Sequence, residues 1–269
     1  MKKSSLLISG LLAFSISSWS YADATLDKIK SRGEISVGVL LSGNKFGSID
    51  PSTRQAVGFN VDLAHALAKT LGVSANLVQV QTATRAQFLQ TGKVDILIAN
   101  MEHSAERAEQ LGFVPTPYYR VGGTALFKAD KPYQDWSDLK DAQVCVSQGS
   151  SYTRPVAERY GAKVRGFKTY SESLLALQSG TCDVSVHDST LLRPLKSEKA
   201  EWQNYRYFDA ELNPAPSVIW VRQGENDTIA ALDEIVRAWH KEGLLIELEQ
   251  KNAITPPNPA LVEWRDAAQ

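Results

Sequence analysis

From residue 26 onward the apolar positions switch between short near-continuous runs and a spacing of three to four, so strands and helices are expected to alternate. Residues 26–31 read as a short helix ended by Gly33, and residues 34–40 as an apolar, partly β-branched strand. A loop over 42–47 and a turn at Asp50-Pro51 lead into a helix over 59–72. Its Val61, Ala64, Leu67, Ala68 and Leu71 make one apolar stripe, and Gly72 stops it. A strand at 76–80, a helix at 85–91 and a buried strand at 94–99 complete a first series. A second starts near Val144: strand 144–147, helix 153–160, strand 164–167, helix 172–178 and strand 184–186.

Two βαβαβ series in one chain predict an α/β protein of two lobes, each a mostly parallel sheet flanked by helices. Residues 217–221 read as one more strand and residues 227–242 as a long helix. A lone strand and helix cannot make a third lobe, so they are expected to return to the first. The chain then divides into lobe 1 (residues 23–121 and 213–269) and lobe 2 (residues 122–212). Crossings near residues 119–123 and 212–217 form a two-stranded hinge, which Pro214 and Pro216 suit as a connector. Pro256, Pro257 and Pro259 exclude regular helix from the tail, which is expected to run along the surface.

Charge adds an exclusion. Lys+Arg (29) and Asp+Glu (30) nearly cancel among 269 residues, and no block of like charge appears. Nucleic acid and membrane surfaces are therefore poor partners for this chain. The N-terminus has the form of a secretory signal peptide: Lys2 and Lys3, an apolar run from about Leu6 to Phe14, then Ser20-Tyr21-Ala22 with cleavage after Ala22. About ten apolar residues are too few to cross a ~30 Å hydrocarbon core. With no cysteine there to carry a lipid, the mature protein is expected free in the periplasm. Loss of two lysines takes its formal charge from -1 to -3. Cys145 and Cys182 are the only cysteines; in an exported chain they suggest a disulfide, with two separate buried thiols as the alternative. No metal or cofactor is expected, since no His stands at ligand spacing from either cysteine and neither phosphate loop nor nucleophile elbow occurs.

Ligands of open parallel sheets bind at the carboxyl ends of strands, so the residues following each strand are the candidates. After 94–99 come Asn100, Glu102 and Arg107; after 144–146 come Ser147-Gln148-Gly149-Ser150-Ser151; after 184–186 come His187 and Asp188. A guanidinium forks onto a carboxylate, a Gly-Ser-Ser helix start offers N–H groups and hydroxyls to an anion, and Asp188 accepts from an ammonium. Together these describe a receptor for the head of an α-amino acid. Singly, each also has a plainer use: Arg107 in a surface salt bridge, Asp188 as a helix cap, Gly-Ser-Ser as a turn.

Gly58-Phe59-Asn60-Val61-Asp62-Leu63-Ala64, Gly92-Lys93-Val94-Asp95-Ile96, Ala105-Glu106-Arg107-Ala108 leading to Phe113 and Pro117-Tyr118-Tyr119, Asp138-Leu139-Lys140, Gly149-Ser150, and Leu177 with Gly180 and Asp183 stand in an informative order and spacing. In them the chain resembles the periplasmic binding proteins for polar amino acids that serve ABC importers, solute-binding protein family 3, over residues 26 to about 252. The resemblance implies the type II periplasmic-binding-protein fold and a membrane permease as partner. It places Arg107 and Ser151 on the ligand carboxylate and Asp188 on the ammonium, with His187 beside it. It sets Phe46 in a loop whose ring covers the ligand, and Cys145 and Cys182 at positions that pair in some relatives. Two positions depart from the family: Glu102 stands where Thr or Ser usually meets the ligand carboxylate, and Leu40 where an Asp often contacts nitrogen. Some relatives resemble periplasmic dehydratases, for which Glu102 or His187 would supply the acid or base. A ligand sensor for a membrane receptor is the remaining alternative.

Overall fold

The computed structural model describes residues 24–42 and 45–269; the expected signal peptide and its cleavage site lie outside them. Helix α1 (Ala24–Arg32) precedes β1 (Glu34–Leu40), a small hairpin of β2 (Ser48–Ile49) and β3 (Ala56–Val57), α2 (Phe59–Leu71) and β4 (Ser74–Val80). Then come α3 (Arg85–Gln90), β5 (Ile96–Leu97), α4 (Ala105–Ala108) and β6 (Gly112–Phe113). These strands, joined later by β13 (Trp220–Val221), form a sheet of order β4-β1-β5-β13-β6. It is mixed: β1 runs parallel to β4 and β5, whereas β13 is antiparallel to both neighbours. Val37 and Val39 of β1 share a core with Ala64, Leu67 and Ala68 of α2, from the stripe read in the sequence, and with Leu63, which that stripe did not include. Gly72 closes that helix in the left-handed region at φ 71°, its N–H turned back onto the last carbonyls.

The second sheet holds β7 (Tyr119–Lys128), β8 (Gln143–Ser147), β9 (Lys163–Phe167), β10 (Val184–Asp188) and β11 (Tyr205–Tyr207), in the order β11-β7-β10-β8-β9. Strands β8, β9 and β10 are parallel, and β7 is antiparallel to β10. Its core is built on Ala125, Phe127, Val144, Val146, Val184 and Val186. Helix α5 (Tyr170–Gln178) starts two residues before the apolar pattern does. A reciprocal cap between Thr169 and Glu172 satisfies its first N–H groups. Short helices α6 (Ser189–Leu192) and α7 (Leu195–Glu198) follow β10.

Strand β7 starts in the first core, with Tyr119, and ends in the second, with Phe127. It pairs antiparallel with β12 (Leu212–Ser217), which returns toward β13. The register of this pair shifts between Leu212 and Ala215, where Asn213 sits at φ 46° beside Pro214. Behind the first sheet lie α8 (Asn226–Glu242), α9 (Leu244–Lys251) and α10 (Pro259–Ala267). They hold the chain that enters β7: His240 Nε2 bonds to Pro117 O at 2.7 Å, Tyr119 Oη donates to Glu249 Oε1 at 2.7 Å, and Asn258 Nδ2 donates to Arg120 O at 2.6 Å.

Three sequence expectations are corrected and one is refined. The strand at 94–99 is regular only over Ile96–Leu97, because Asn100 turns into the left-handed region at φ 47° and ends pairing. The helix expected at 153–160 is present, but beyond Thr153 and Arg154 it widens into a π turn over Pro155–Arg159. The strand expected at 217–221 divides into β12 and β13. The tail is helical after Pro256 and Pro257, since Pro259 occupies the first helical position, where no N–H is needed, and Asn258 caps it through Ala260 N.

Cys145 and Cys182 are bonded, joining β8 to the turn before β10 across a separation of 37 residues. Replacing both with alanine is expected to lower the stability of the unfolding unit by roughly 3–4 kcal/mol through the lost loop constraint. Urea denaturation against the oxidised protein measures this, and coincident curves would show that the bridge constrains nothing beyond what the β8–β10 pairing already does.

Candidate functional site

Between the two sheets lies a cavity of about 110 Å³. One wall comes from the first lobe through Leu40, Val80, Gln81, Arg85, Asn100 and Glu102. The other comes from the second through Ser150, Ser151, Tyr152, Thr169, His187 and Asp188. The walls approach closely: a Cβ on Gly149 would lie 2.8 Å from Ala83 Cα, so only glycine lets this turn reach the opposite lobe. Arg154 and Glu106 face each other across the rim at 3.3 Å.

Six of the eight expected ligand residues line this cavity: Asn100, Glu102, Ser150, Ser151, His187 and Asp188. Phe46 and Arg107 do not. Phe46 is 2% exposed, its ring edge-on to Phe59 at 5.6 Å and to Tyr119 at 5.1 Å. An apolar ring gains more from that aromatic core than from a polar cleft, so it is a core residue and not a lid. Arg107 is turned to Glu102, with Nη1 3.1 Å from Oε2 and donating at 2.8 Å to the Glu102 carbonyl.

The guanidinium that does reach the cavity belongs to Arg85, the first residue of α3. It is 4% exposed, and its hydrogen-bond partners among the described residues are two backbone carbonyls, Ala99 O and Asn100 O, both on Nη1. The left-handed turn at Asn100 presents those carbonyls. It is held by Asn60 Nδ2 donating to Asn100 Oδ1 at 2.6 Å, while the Asn100 N–H donates to Tyr118 Oη at 3.2 Å. Burial, with repulsion from Arg107, pushes Arg85 down to about 10, still charged at neutral pH. Arg85 was legible in principle: it follows the end of β4, one of the strand ends from which no candidate was drawn. Tyr152, one residue beyond Ser151, was missed in the same way.

Asp188 is the last residue of β10, paired with Gly123 of β7. The Tyr152 ring lies over Gly123, where a Cβ would come within 2.9 Å of it, and its hydroxyl donates to Asp188 Oδ1 at 2.8 Å. Burial and the nearby Glu102 charge raise Asp188 to about 7 despite that bond and despite Arg85. Glu102 goes the other way. Burial alone would raise it, but Arg107, Arg85 and the Ser151 hydroxyl outweigh burial and hold it below the usual carboxylate range. Beside Asp188, His187 bonds through Nε2 to Ser173 Oγ, itself bonded to Ser185 Oγ, each at 2.9 Å. Burial pushes the imidazole down to about 3, so it is neutral in this wall. The cavity thus opposes a fixed cation on one lobe to an acid on the other that ionises near neutrality.

A family model for bacterial extracellular solute-binding proteins, family 3, matches residues 35–253. The chain belongs to that family. Among the relatives of this solute-binding protein is a glutamine-binding protein of Geobacillus stearothermophilus, 33% identical over 199 residues that cover 71% of this chain and 74% of the relative. A mutant of ArgBP from T. maritima superposes with a TM-score of 0.78 at 28% identity, covering 84% of this chain and 98% of that one. The ancestral amino acid-binding protein AncCDT-1, a precursor of cyclohexadienyl dehydratase, does so with a TM-score of 0.76 at 30% identity over the same shares, 84% and 98%. The neighbours share the two-lobed type II architecture, and no helix among the described residues is long and apolar enough to cross a membrane.

Asp188 gives the ligand-free solute-binding protein a pH signature. Its folded pKa of about 7 lies above its ordinary 3.8, so its contribution to stability is complete below 3.8 and is lost as pH rises through about 7. Between those values the melting temperature of the wild type is expected to fall relative to that of Asp188→Asn. Parallel melting profiles for the two proteins would mean that Asp188 is hydrated as in water.

Proposed function

We propose that this protein captures an α-amino acid between its two lobes and delivers it to a membrane ABC importer. The reading is carried by one observation: Arg85 on one wall and Asp188 on the other line the same cavity, a cation and an acid on opposite lobes as an amino-acid head requires. Arg85 takes the carboxylate, helped by Ser150, Ser151 and their turn. Asp188 takes the ammonium with Tyr152 steadying it, and Asn100 and His187 are neutral contacts. Arg107 acts through Glu102, and Phe46 only through the core. Closure follows because the ligand joins groups on opposite lobes, so the closed state gains contacts that the open state lacks. Relatives named for binding glutamine and for ABC transport support both substrate class and importer. We place the mature protein in the periplasm, cut after Ala22. The permease is the partner this assigns, and no cofactor enters.

One observation favours a second reading. A carboxyl at about 7 is where a general acid or base works, and AncCDT-1 is a dehydratase precursor. For a binding protein the same value has a simpler origin, since Asp188 is an acid set for a cation that only the ligand brings. Prephenate-type acids incubated with the protein separate the two readings, because a dehydratase consumes them.

A thermal-shift screen of the mature protein against the twenty amino acids is expected to give a polar amino acid as the hit. At about 100 times its dissociation constant it should add roughly 2.7 kcal/mol. Silence across the screen rejects the substrate class. An ammonium binds ionised Asp188, so affinity should fall about tenfold from pH 8 to pH 6 as the acid is protonated. Calorimetry at both values checks this, and a pH-independent affinity would remove Asp188 from the head-group site.

A further inference from the structure

Glu102 puts a carboxylate where a receptor for ligand carboxylates should have none. Its Oε2 is 3.1 Å from Arg107 Nη1, with both side chains largely buried at 12% and 18% exposure. Ser151, on the opposite lobe, adds its hydroxyl to the groups that hold Glu102 ionised. A guanidinium from one lobe and a hydroxyl from the other are the two groups that a ligand carboxylate would bridge. Glu102 Oε1 is shut off from solvent and has no hydrogen-bond partner among the described residues. Arg107 has no part in the cavity wall.

We propose that Glu102 is a tethered substitute for a ligand carboxylate, occupying Arg107, and that the ligand's own anionic group is taken by Arg85 instead. Three observations converge on it. Arg107 is neutralised by a residue of its own lobe. Arg85 lines the cavity and has no acidic partner within ion-pair distance among the described residues. The buried charges sum to zero with Asp188 ionised: Arg85 and Arg107 against Glu102 and Asp188. A ligand carrying one anion and one ammonium meets Arg85 and Asp188, with Lys168 also on the lining. A second carboxylate directed at Arg107 meets Glu102 and is repelled. The substrate class is then an α-amino acid, and Glu102 is the residue that keeps a further carboxylate from Arg107. The substitution itself stands on Glu102 and Arg107; the choice of ligand rests on the amino-acid reading above.

Removal of the tether exposes the site to a free carboxylate. In purified mature Glu102→Ala, acetate titrated against chloride at equal ionic strength is expected to stabilise the protein saturably, with a midpoint at least about tenfold lower than in the wild type. Glu102→Gln fills the same space without charge and should respond to acetate as the wild type does. An Ala variant that responds no better than wild type, or equally to chloride, overturns the substitution. Should Ala not fold, Glu102→Thr is read in the same way. Glu102→Ala and Glu102→Thr, titrated with L-glutamate and L-glutamine, should shift preference toward L-glutamate by at least about tenfold, since a second guanidinium is released. An unchanged ratio overturns the assignment of the ligand anion to Arg85 rather than Arg107. If neither amino acid binds wild type or variant, and the full screen is silent, the amino-acid reading has failed while the acetate result still judges Glu102.

Discussion

A guanidinium buried without an acid beside it is the constraint on which the rest of this site depends. Arg85 keeps its charge inside the protein, and a charge so placed must find oxygen. Two backbone carbonyls supply it, and they point inward only because Asn100 takes a left-handed turn that Asn60 and Tyr118 brace. That turn ends β5 after two residues, which leaves the following segment free to bring Glu102 to the cleft and Arg107 behind it. The positive field of both arginines holds Glu102 ionised, and Glu102 in turn raises Asp188 across the gap. Burial and these neighbouring charges together therefore set the protonation of groups on both lobes.

The sequence carried the architecture further than the site. Strand β1 and helix α2 were legible because each has an unambiguous period and α2 has a glycine stop. The mixed character of both sheets was not, since an apolar strand reads alike in either direction and only the connection decides its sense. The tail misled because three prolines look like a uniform veto, whereas Pro259 occupies the one helical position that tolerates it. Around the cavity, the rule that function gathers at strand ends found Asn100, Glu102, Ser150, Ser151, His187 and Asp188. It missed Arg85 and Tyr152, which obey the same rule.

Arg107 and Phe46 show what a linear motif cannot carry. Both stand where the family resemblance puts ligand contacts, yet each is claimed by something nearer: Arg107 by Glu102, and Phe46 by the rings of Phe59 and Tyr119. The departure at Glu102 was visible as a misplaced charge. Its resolution needed three dimensions, because whether a carboxylate repels a ligand or stands in for one depends on which side chain reaches it first.

The bonds from Pro117, Tyr119 and Arg120 to His240, Glu249 and Asn258 fasten one end of the connecting ribbon to the helices behind the first sheet. Flexion is left to the short span beyond Arg120 and to its partner at Asn213, where the ladder is already broken. On the closure proposed above, the pivot is a pin seated close to the first lobe. With a short pivot, a few degrees of rotation at Asn213 become a displacement at the cleft that grows with distance from the pin. Opening would then part the Arg154–Glu106 pair together with the facing walls, so that the rim pair is a latch broken each time the cleft is entered.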